Sequence, residues 1–324
     1  MSLMRYFHII NIQLTVYQIF DTIPSQNGDK MNKYKFFKYR ADILLLSVAI
    51  AWGITFLMVQ EAINSTPVYS FLFFRFLLAS ILMFFIAYKY LKEINRKTVF
   101  FGILLGSILF SAFATQTFGL AYTKSSIVAF ITGLNVICVP FLAYFIFKEH
   151  VRRNVFIASI VAVIGLYLLT MSGELTLGLG EFLTLICAFL FALHIIFTGK
   201  FSKEVNVYLL VLFQLTTVAV LSLIFSLTLD TTTFDLTYDY TFFKAVIVTA
   251  VFATVYAFLI QTYMQQFTTA TKTAIIFTME PVSAAVYGYI AGGEILTSIQ
   301  ITGAILIIMA TLVAELNFSK NKAL

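Results

Sequence analysis

The chain has 324 residues, of which 60% are hydrophobic and 11% are charged, against ~45–50% and ~25% in soluble domains. This composition excludes an ordinary soluble domain and predicts an all-α integral membrane protein. The formal net charge is +6, but the basic residues lie in short clusters between apolar runs. That placement indicates membrane orientation and argues against a nucleic-acid partner.

No HExxH, GxSxG, Walker A or GxGxxG motif occurs in the sequence. We therefore expect neither an enzyme with catalytic residues nor a bound cofactor. Cys138 and Cys187 both lie within apolar runs. Cysteines in such surroundings fill space as small apolar side chains, so we expect no structural disulfide and no metal site.

Residues 1–40 form an N-terminal extension that we place on the cytoplasmic side. Its first thirty residues contain an apolar patch that is too short and too polar to cross a membrane. Met31 then opens a basic lead-in, MNKYKFFKYRAD, which is typical of a cytoplasmic end. We interpret Met31 as the candidate native start, in which case residues 1–30 are not part of the native product.

Ten apolar segments come next, each close to the ~20 residues that cross a ~30 Å hydrocarbon core. They cover about residues 42–62, 69–90, 98–121, 125–147, 154–171, 180–200, 206–229, 243–265, 270–291 and 296–316. Lysine and arginine concentrate in alternate connections between these segments. The positive-inside rule therefore places both termini, including the tail at 317–324, in the cytoplasm.

Two stretches of 28 residues, 122–149 and 267–294, share one layout: small hydroxyl residues, an apolar run and a terminal glutamate. The apolar segments that come after them are also similar, which indicates that the two halves of the chain are copies. Each copy contains five spans, an odd number, so the second copy enters the membrane opposite to the first. The sequence thus predicts ten transmembrane helices arranged as two inverted five-helix repeats.

Three short motifs carry a family resemblance: Met-Glu-Pro-Val at Met279–Val282, Trp52-Gly53 in the first span, and Phe74–Ala79 in the second. With their order and spacing, the chain resembles the EamA domains of the drug/metabolite transporter superfamily. The resemblance implies a first EamA domain at 41–171 and a second at 172–316. It also implies a multi-pass secondary transporter of the cell inner (cytoplasmic) membrane. Such a carrier moves a small organic metabolite, an amino acid or related solute, by alternating access, more often for export than for uptake.

A channel or receptor built on the same helical bundle is the alternative. Internal duplication with polar residues in the middle of spans favours a carrier, and the sequence contains no ring-forming filter motif. The expected partners are the lipid bilayer and a small-molecule solute, with protons and a second copy of the chain left open.

Arg75 and Glu280 are the clearest ionisable residues within the predicted spans. A charge there costs at least ~2.5–3.5 kcal/mol, so each is a functional hypothesis. Arg75 could hold an anionic group or join helices through backbone carbonyls, and we favour the second interpretation. Glu280 could couple transport to protons as water access alternates, or it could be a structural acid beside Pro281; both interpretations stay open.

Polar and aromatic residues within the apolar runs complete the candidate cavity, since uncharged hydrogen-bonding groups there tend to face the bundle interior. The substrate-binding candidates are Trp52, Arg75, Gln116, Asn135, His194, Gln214 and Gln261, with Glu280 as the candidate for proton coupling.

Overall fold

The computed structural model describes residues 30–148, 153–170, 178–230, 238–292 and 297–315, and in these ranges every regular element is helical. The chain divides into two units, 1–37 and 38–324. The described part of the first unit, 30–37, is helical, and all other described residues belong to the second unit. The predictions for residues 1–29 and for the tail at 317–324 lie outside the described ranges.

Thirteen α-helices can be assigned within the described ranges. In chain order they are α1 (Lys30–Ile63), α2 (Val68–Ala87), α3 (Arg96–Tyr122), α4 (Ser125–Gly133), α5 (Asn135–Phe147), α6 (Arg153–Thr170), α7 (Leu179–Phe201), α8 (Val207–Phe225), α9 (Tyr240–Ala250), α10 (Ala257–Met264), α11 (Ala270–Phe277), α12 (Met279–Gly292) and α13 (Ser298–Glu315). A 3₁₀ segment, Tyr88–Glu93, continues α2. One π-helical segment, Ser226–Asp230, continues α8, and another, Val251–Tyr256, joins α9 to α10.

Seven helical stretches of the described chain are long and apolar enough to cross a membrane. They are Arg40–Ile63, Val68–Glu93, Arg96–Tyr122, Ser125–Phe147, Leu179–Phe201, Val207–Asp230 and Tyr240–Met264. The other three predicted segments coincide with α6, with α13, and with the interrupted pair α11–α12. The all-helical, membrane-crossing fold is thereby confirmed, whereas the count of ten crossings remains a prediction.

Two of the predicted spans are interrupted near their middle. The fourth breaks between α4 and α5 at Leu134, and the ninth breaks between α11 and α12 at Thr278. Pro281 explains the second break, because a proline ring clashes with the carbonyl four residues earlier, here that of Phe277, and cannot donate to it. The first break falls beside Gly133, whose missing side chain weakens a helix.

The backbone of α1 approaches the start of α12 closely. A Cβ placed on Gly53 would lie 2.0 Å from Ser283 Oγ and 2.3 Å from the Glu280 carbonyl oxygen. Only glycine allows this approach, and it holds the middle of α1 against the interruption between α11 and α12.

Contacts at the ends of α1 and α7 define their relative direction. Gln60, near the end of α1, donates to the Thr123 carbonyl at 3.2 Å, and the Thr123 hydroxyl donates to Glu181 in the first turn of α7 at 2.6 Å. Asp42, twenty-one residues before Ile63 in α1, pairs with Lys272 in the first turn of α11. The start of α11 also lies near the end of α7, where a Cβ on Gly199 would be 3.9 Å from Ala270 Cβ. The helices α1 and α7 therefore run in opposite directions.

Two of the predicted cytoplasmic connections are joined to each other. Lys97 pairs with Glu204 at 2.8 Å, and Asn206 donates to Glu93 at 2.7 Å. The hydrogen bond from Lys97 lowers the pKa of the Glu204 carboxyl below its ordinary value. The connections at 88–95 and 202–206 thus share one face of the bundle, as the positive-inside assignment requires.

Candidate functional site

A cavity lies among the helices, with room for water-sized molecules over about 50 Å³, against the ~10–15 Å³ that a single water needs. Its lining side chains are Trp52, Thr55, Phe56, Val59, Arg75, Phe113, Gln116, Thr117, Leu120, Thr132, Asn135, Phe191, His194, Ile195, Gln261, Phe277 and Glu280. Seven of the eight predicted site residues are among them. The exception is Gln214, which is fully buried and shares a 3.0 Å hydrogen bond with His194 Nε2.

The wall is built from equivalent positions of the two copies. Lining residues on the first helices of the two copies correspond at an offset of 139 positions, as 52 corresponds to 191. Lining residues on the later helices correspond at an offset of 145 positions, as 116 corresponds to 261. The six pairs in which both members line the cavity are Trp52/Phe191, Thr55/His194, Phe56/Ile195, Gln116/Gln261, Thr132/Phe277 and Asn135/Glu280. The cavity is therefore lined by residues of both copies.

The interrupted helices place the two most polar members of this wall. Asn135 is the first residue of α5 and Glu280 the second residue of α12, so both stand where a helix starts again after a break. They are 6% and 8% exposed.

Arg75 is held by the π-helical segment between α9 and α10. Its Nε donates to Thr254 Oγ1 at 2.9 Å, and its Nη2 donates to the Ala253 carbonyl at 3.3 Å. The guanidinium carbon also lies 4.7 Å from the centre of the Phe113 ring, within range of a cation–π interaction. A guanidinium carries five N–H donors, so Arg75 can hold both acceptors and still present N–H groups to the cavity.

Trp52 shares the same carbonyl. Its indole Nε1 donates to the Ala253 oxygen at 2.9 Å, and its ring meets Phe277 edge-on with the centroids 4.9 Å apart. A carbonyl oxygen has two lone pairs, so this one oxygen can accept from both the α1 and the α2 donor.

A chain of amides begins at the cavity wall. Gln265 Nε2 donates to the Ile195 carbonyl at 3.0 Å, and Gln261 Nε2 donates to Gln265 Oε1 at 3.3 Å. On the other copy, Gln116 Nε2 donates to Thr132 Oγ1 at 3.3 Å, and that hydroxyl contacts Cys187 Sγ at 3.9 Å. The equivalent glutamines thus have different partners.

Several lining residues escaped the sequence reasoning, among them Thr55, Thr117, Thr132 and Phe191. Threonine is common in apolar helices because its hydroxyl can donate to its own backbone, as Thr55 does to the Trp52 carbonyl at 2.9 Å. Its presence therefore gives little signal. Phe191 could have been found, because it occupies the position equivalent to Trp52 in the second copy.

Apolar membrane-crossing helices around a partly polar cavity define a multi-pass membrane protein with an internal chamber. The model of the EamA-like transporter family matches residues 39–171 and 178–315. An uncharacterized transporter of Archaeoglobus fulgidus is 31% identical over 276 residues, which is 85% of this chain and 86% of that protein. The chain belongs to the EamA-like transporter family and is a membrane transporter with two tandem EamA domains.

A protein of known crystal structure has the same fold. It aligns with a TM-score of 0.73 over 87% of this chain and 99% of its own, at 14% sequence identity. At that identity the likeness concerns the fold alone.

Removing the Arg75 side chain should destabilise the protein in the absence of any solute. Arg75→Ala deletes two hydrogen bonds from a charged donor, but it also removes the cost of burying that charge. We expect the free energy of unfolding to fall by about 2 kcal/mol in balance. Thermal unfolding of the purified protein measures this, with Arg153→Ala at the exposed start of α6 as the charge-matched control. An Arg75→Ala variant as stable as wild type, but unable to bind solute, would show that the guanidinium serves the solute instead.

Proposed function

We propose that the chain is a secondary carrier that exports a small organic metabolite, an amino acid or related solute, by alternating access. The observation that carries this proposal is the cavity wall, which is assembled from equivalent positions of two copies. A site shared symmetrically by two repeats is the arrangement in which rocking one repeat against the other exposes the site to each side in turn. The export direction follows from the family resemblance.

We further propose ten crossings in two inverted repeats, 41–171 and 172–316, in the cell inner membrane. The opposite directions of α1 and α7, the first helices of the two copies, support this topology. The interrupted spans α4–α5 and α11–α12 support it too, because they are equivalent elements and both break at the cavity. Discontinuous helices at the site are common in carriers of this design.

Glu280 is the proposed coupling residue. Its side chain lines the cavity, and within the described chain its carboxylate meets neither a hydrogen-bond donor nor a cationic side chain. The structural interpretation, in which the carboxylate binds groups freed by Pro281, therefore finds no support in the contacts. A carboxyl group open to the chamber can exchange protons with whichever side has water access. Its counterpart Asn135 does not titrate, so coupling would run through one copy only.

The topology can be tested by cysteine accessibility. Ser65 and Lys203 are exposed residues in connections that we assign to opposite sides of the membrane. On a background without Cys138 and Cys187, an impermeant thiol reagent applied outside intact cells should label a cysteine at Ser65 and spare one at Lys203. Labelling of Lys203→Cys from outside would overturn the orientation.

Coupling can be tested with Glu280→Gln in proteoliposomes. The amide preserves shape and hydrogen bonding but cannot exchange a proton. We expect the variant to retain counterflow of labelled solute at saturating concentration, as a carrier does. It should lose the accumulation of solute that a pH gradient drives. Glu204→Gln, which changes an exposed acid of a connection, is the control and should accumulate solute like wild type.

Two results would contradict these assignments. Undiminished pH-driven accumulation by Glu280→Gln would remove this residue from the coupling. A wild-type protein that only dissipates gradients and shows no counterflow would indicate a channel.

A further inference from the structure

The cavity holds buried hydrogen-bond acceptors for which the described protein supplies no donor. Among the lining side chains, the buried polar atoms without a partner are Asn135 Oδ1 and Gln261 Oε1. The Glu280 carboxylate, on the same wall, adds an acceptor without a partner in the described chain. Since buried polar atoms are nearly always paired in folded proteins, this local excess of acceptors points to a donor that arrives with the solute.

The orientation of Gln261 is fixed by its neighbours. The Ile195 carbonyl can only accept, so the Gln265 amide must present its nitrogen there and its oxygen to Gln261. Gln261 must then present its nitrogen to Gln265, which leaves Gln261 Oε1 as the atom without a partner. Exchanging the oxygen and nitrogen of Gln261 would break this chain, so the unmet group is an acceptor by necessity.

The cationic member of the wall is differently placed. Arg75 already donates to Thr254 and Ala253 and lies over Phe113. The acid of the cavity thus lacks a partner in the described protein, whereas the base has several. Recognition should therefore depend more on a positively charged, donor-rich group of the solute than on an anionic group.

We propose that Glu280, Gln261 and Asn135 form a subsite for the protonated primary amine of the solute. An alkylammonium group has three N–H donors and one positive charge, which matches two amide oxygens and one carboxylate. This inference rests on the proposed carrier function and specifies its substrate class: amines and amino acids, with the carboxylate of the latter dispensable for binding.

Matched ligands test the subsite. Thermal unfolding of the purified protein is measured in the presence of each standard amino acid and of two analogues of it. One analogue is the amine that lacks the carboxylate, and the other is the acid that lacks the amine. Binding to the folded state raises the melting temperature. For any amino acid that binds, the amine should bind within tenfold of it and the acid should give no shift. Binding of the acid without the amine, or no shift with any amine-bearing compound, would overturn the proposal.

Variants locate the subsite in the cavity. Glu280→Gln and Gln261→Met should each weaken binding of the amine at least tenfold. Gln300→Met, in the first turn of α13 and outside the cavity, is the matched control and should bind like wild type. Unchanged affinity in both cavity variants would contradict the assignment. Counterflow of the same amine by wild-type protein tests the carrier function separately, because binding without counterflow would refute transport but leave the subsite standing.

Two acids at equivalent positions support a second inference. Asp42 and Glu181 are 139 positions apart, the same offset that relates Trp52 to Phe191. Asp42 Oδ2 pairs with Lys272 Nζ at 2.7 Å, and Glu181 Oε1 accepts from Thr123 Oγ1 at 2.6 Å. Each acid thus binds a residue of the other copy, Lys272 in the first turn of α11 or Thr123 two residues before α4.

The two pairs lie at opposite ends of the cavity. Each acid precedes the aromatic residue of its own helix that lines the cavity, Trp52 or Phe191, by ten positions, which is ~15 Å along a helix. Because α1 and α7 run in opposite directions, the two acids lie toward opposite sides of the membrane. Lys272 is 6% exposed and Glu181 is 7% exposed, whereas Asp42 and Thr123 are half-buried, so one member of each pair is buried.

We infer that the Asp42–Lys272 pair and the Thr123–Glu181 pair are the two closures of the transport path and open in alternation. Both are formed in this structure. The positive-inside rule assigns the Glu181 end of the path to the outside and the Asp42 end to the cytoplasm.

Accessibility of the cavity tests the closures. Thr55→Cys, on a background without the native cysteines, places a thiol in the cavity wall. Asp42→Asn should increase its labelling from the cytoplasmic side severalfold and decrease it from outside, and Glu181→Gln should do the reverse. The exchange Asp42→Lys with Lys272→Asp should restore the wild-type pattern, which also guards against a single variant that fails to fold. Equal changes from both sides, or no rescue by the exchange, would overturn the inference.

Discussion

The fold depends on one constraint: polar groups inside an apolar bundle must find partners within the protein, because lipid offers none. The Thr55 hydroxyl donates to its own helix, Gln265 donates to the Ile195 carbonyl, and Arg75 donates to the Ala253 carbonyl of a π-helical turn. On the cavity wall, the acceptors without partners are the groups that we propose a solute completes.

Duplication provides equivalent wall positions in the two copies, and divergence between the copies places different polar residues at these positions. Six pairs of equivalent positions build the wall, yet few of them retain the same residue. Asn135 corresponds to Glu280, and Arg75 corresponds to Gln214, so each copy contributes one ionisable residue where the other has an amide. The two proposed closures differ in the same way, with an ion pair at one and a hydroxyl–carboxylate bond at the other. Under the proposed mechanism, different polar groups in two copies of one scaffold allow opposite movements to have different free energies.

The predicted polar residues reached the cavity for a general reason, and the exception shows the limit of that reasoning. A polar side chain within a membrane helix is stable only when it faces the interior, so Gln116, Asn135 and Gln261 could be proposed without a structure. Gln214 obeys the same rule, but its Oε1 is paired with His194, twenty positions earlier in the chain on the preceding helix, and its Nε2 has no partner in the described chain. Sequence indicates that such a residue faces inward, but the packing decides whether its partner is protein or solute.

The sequence by itself determined the membrane-crossing helices, the duplication and the family, because apolar length, charge placement and motif order can all be read along one dimension. Only the tertiary structure decided which faces meet, since helices that are apolar on nearly every side carry no periodic signal of direction. The tie between Arg75 and the π-helical turn, the amide chain that orients Gln261 and the two pairs formed by Asp42 and Glu181 all join residues that are distant in sequence. Their energies depend on distances between helices, which exist only once the bundle has packed.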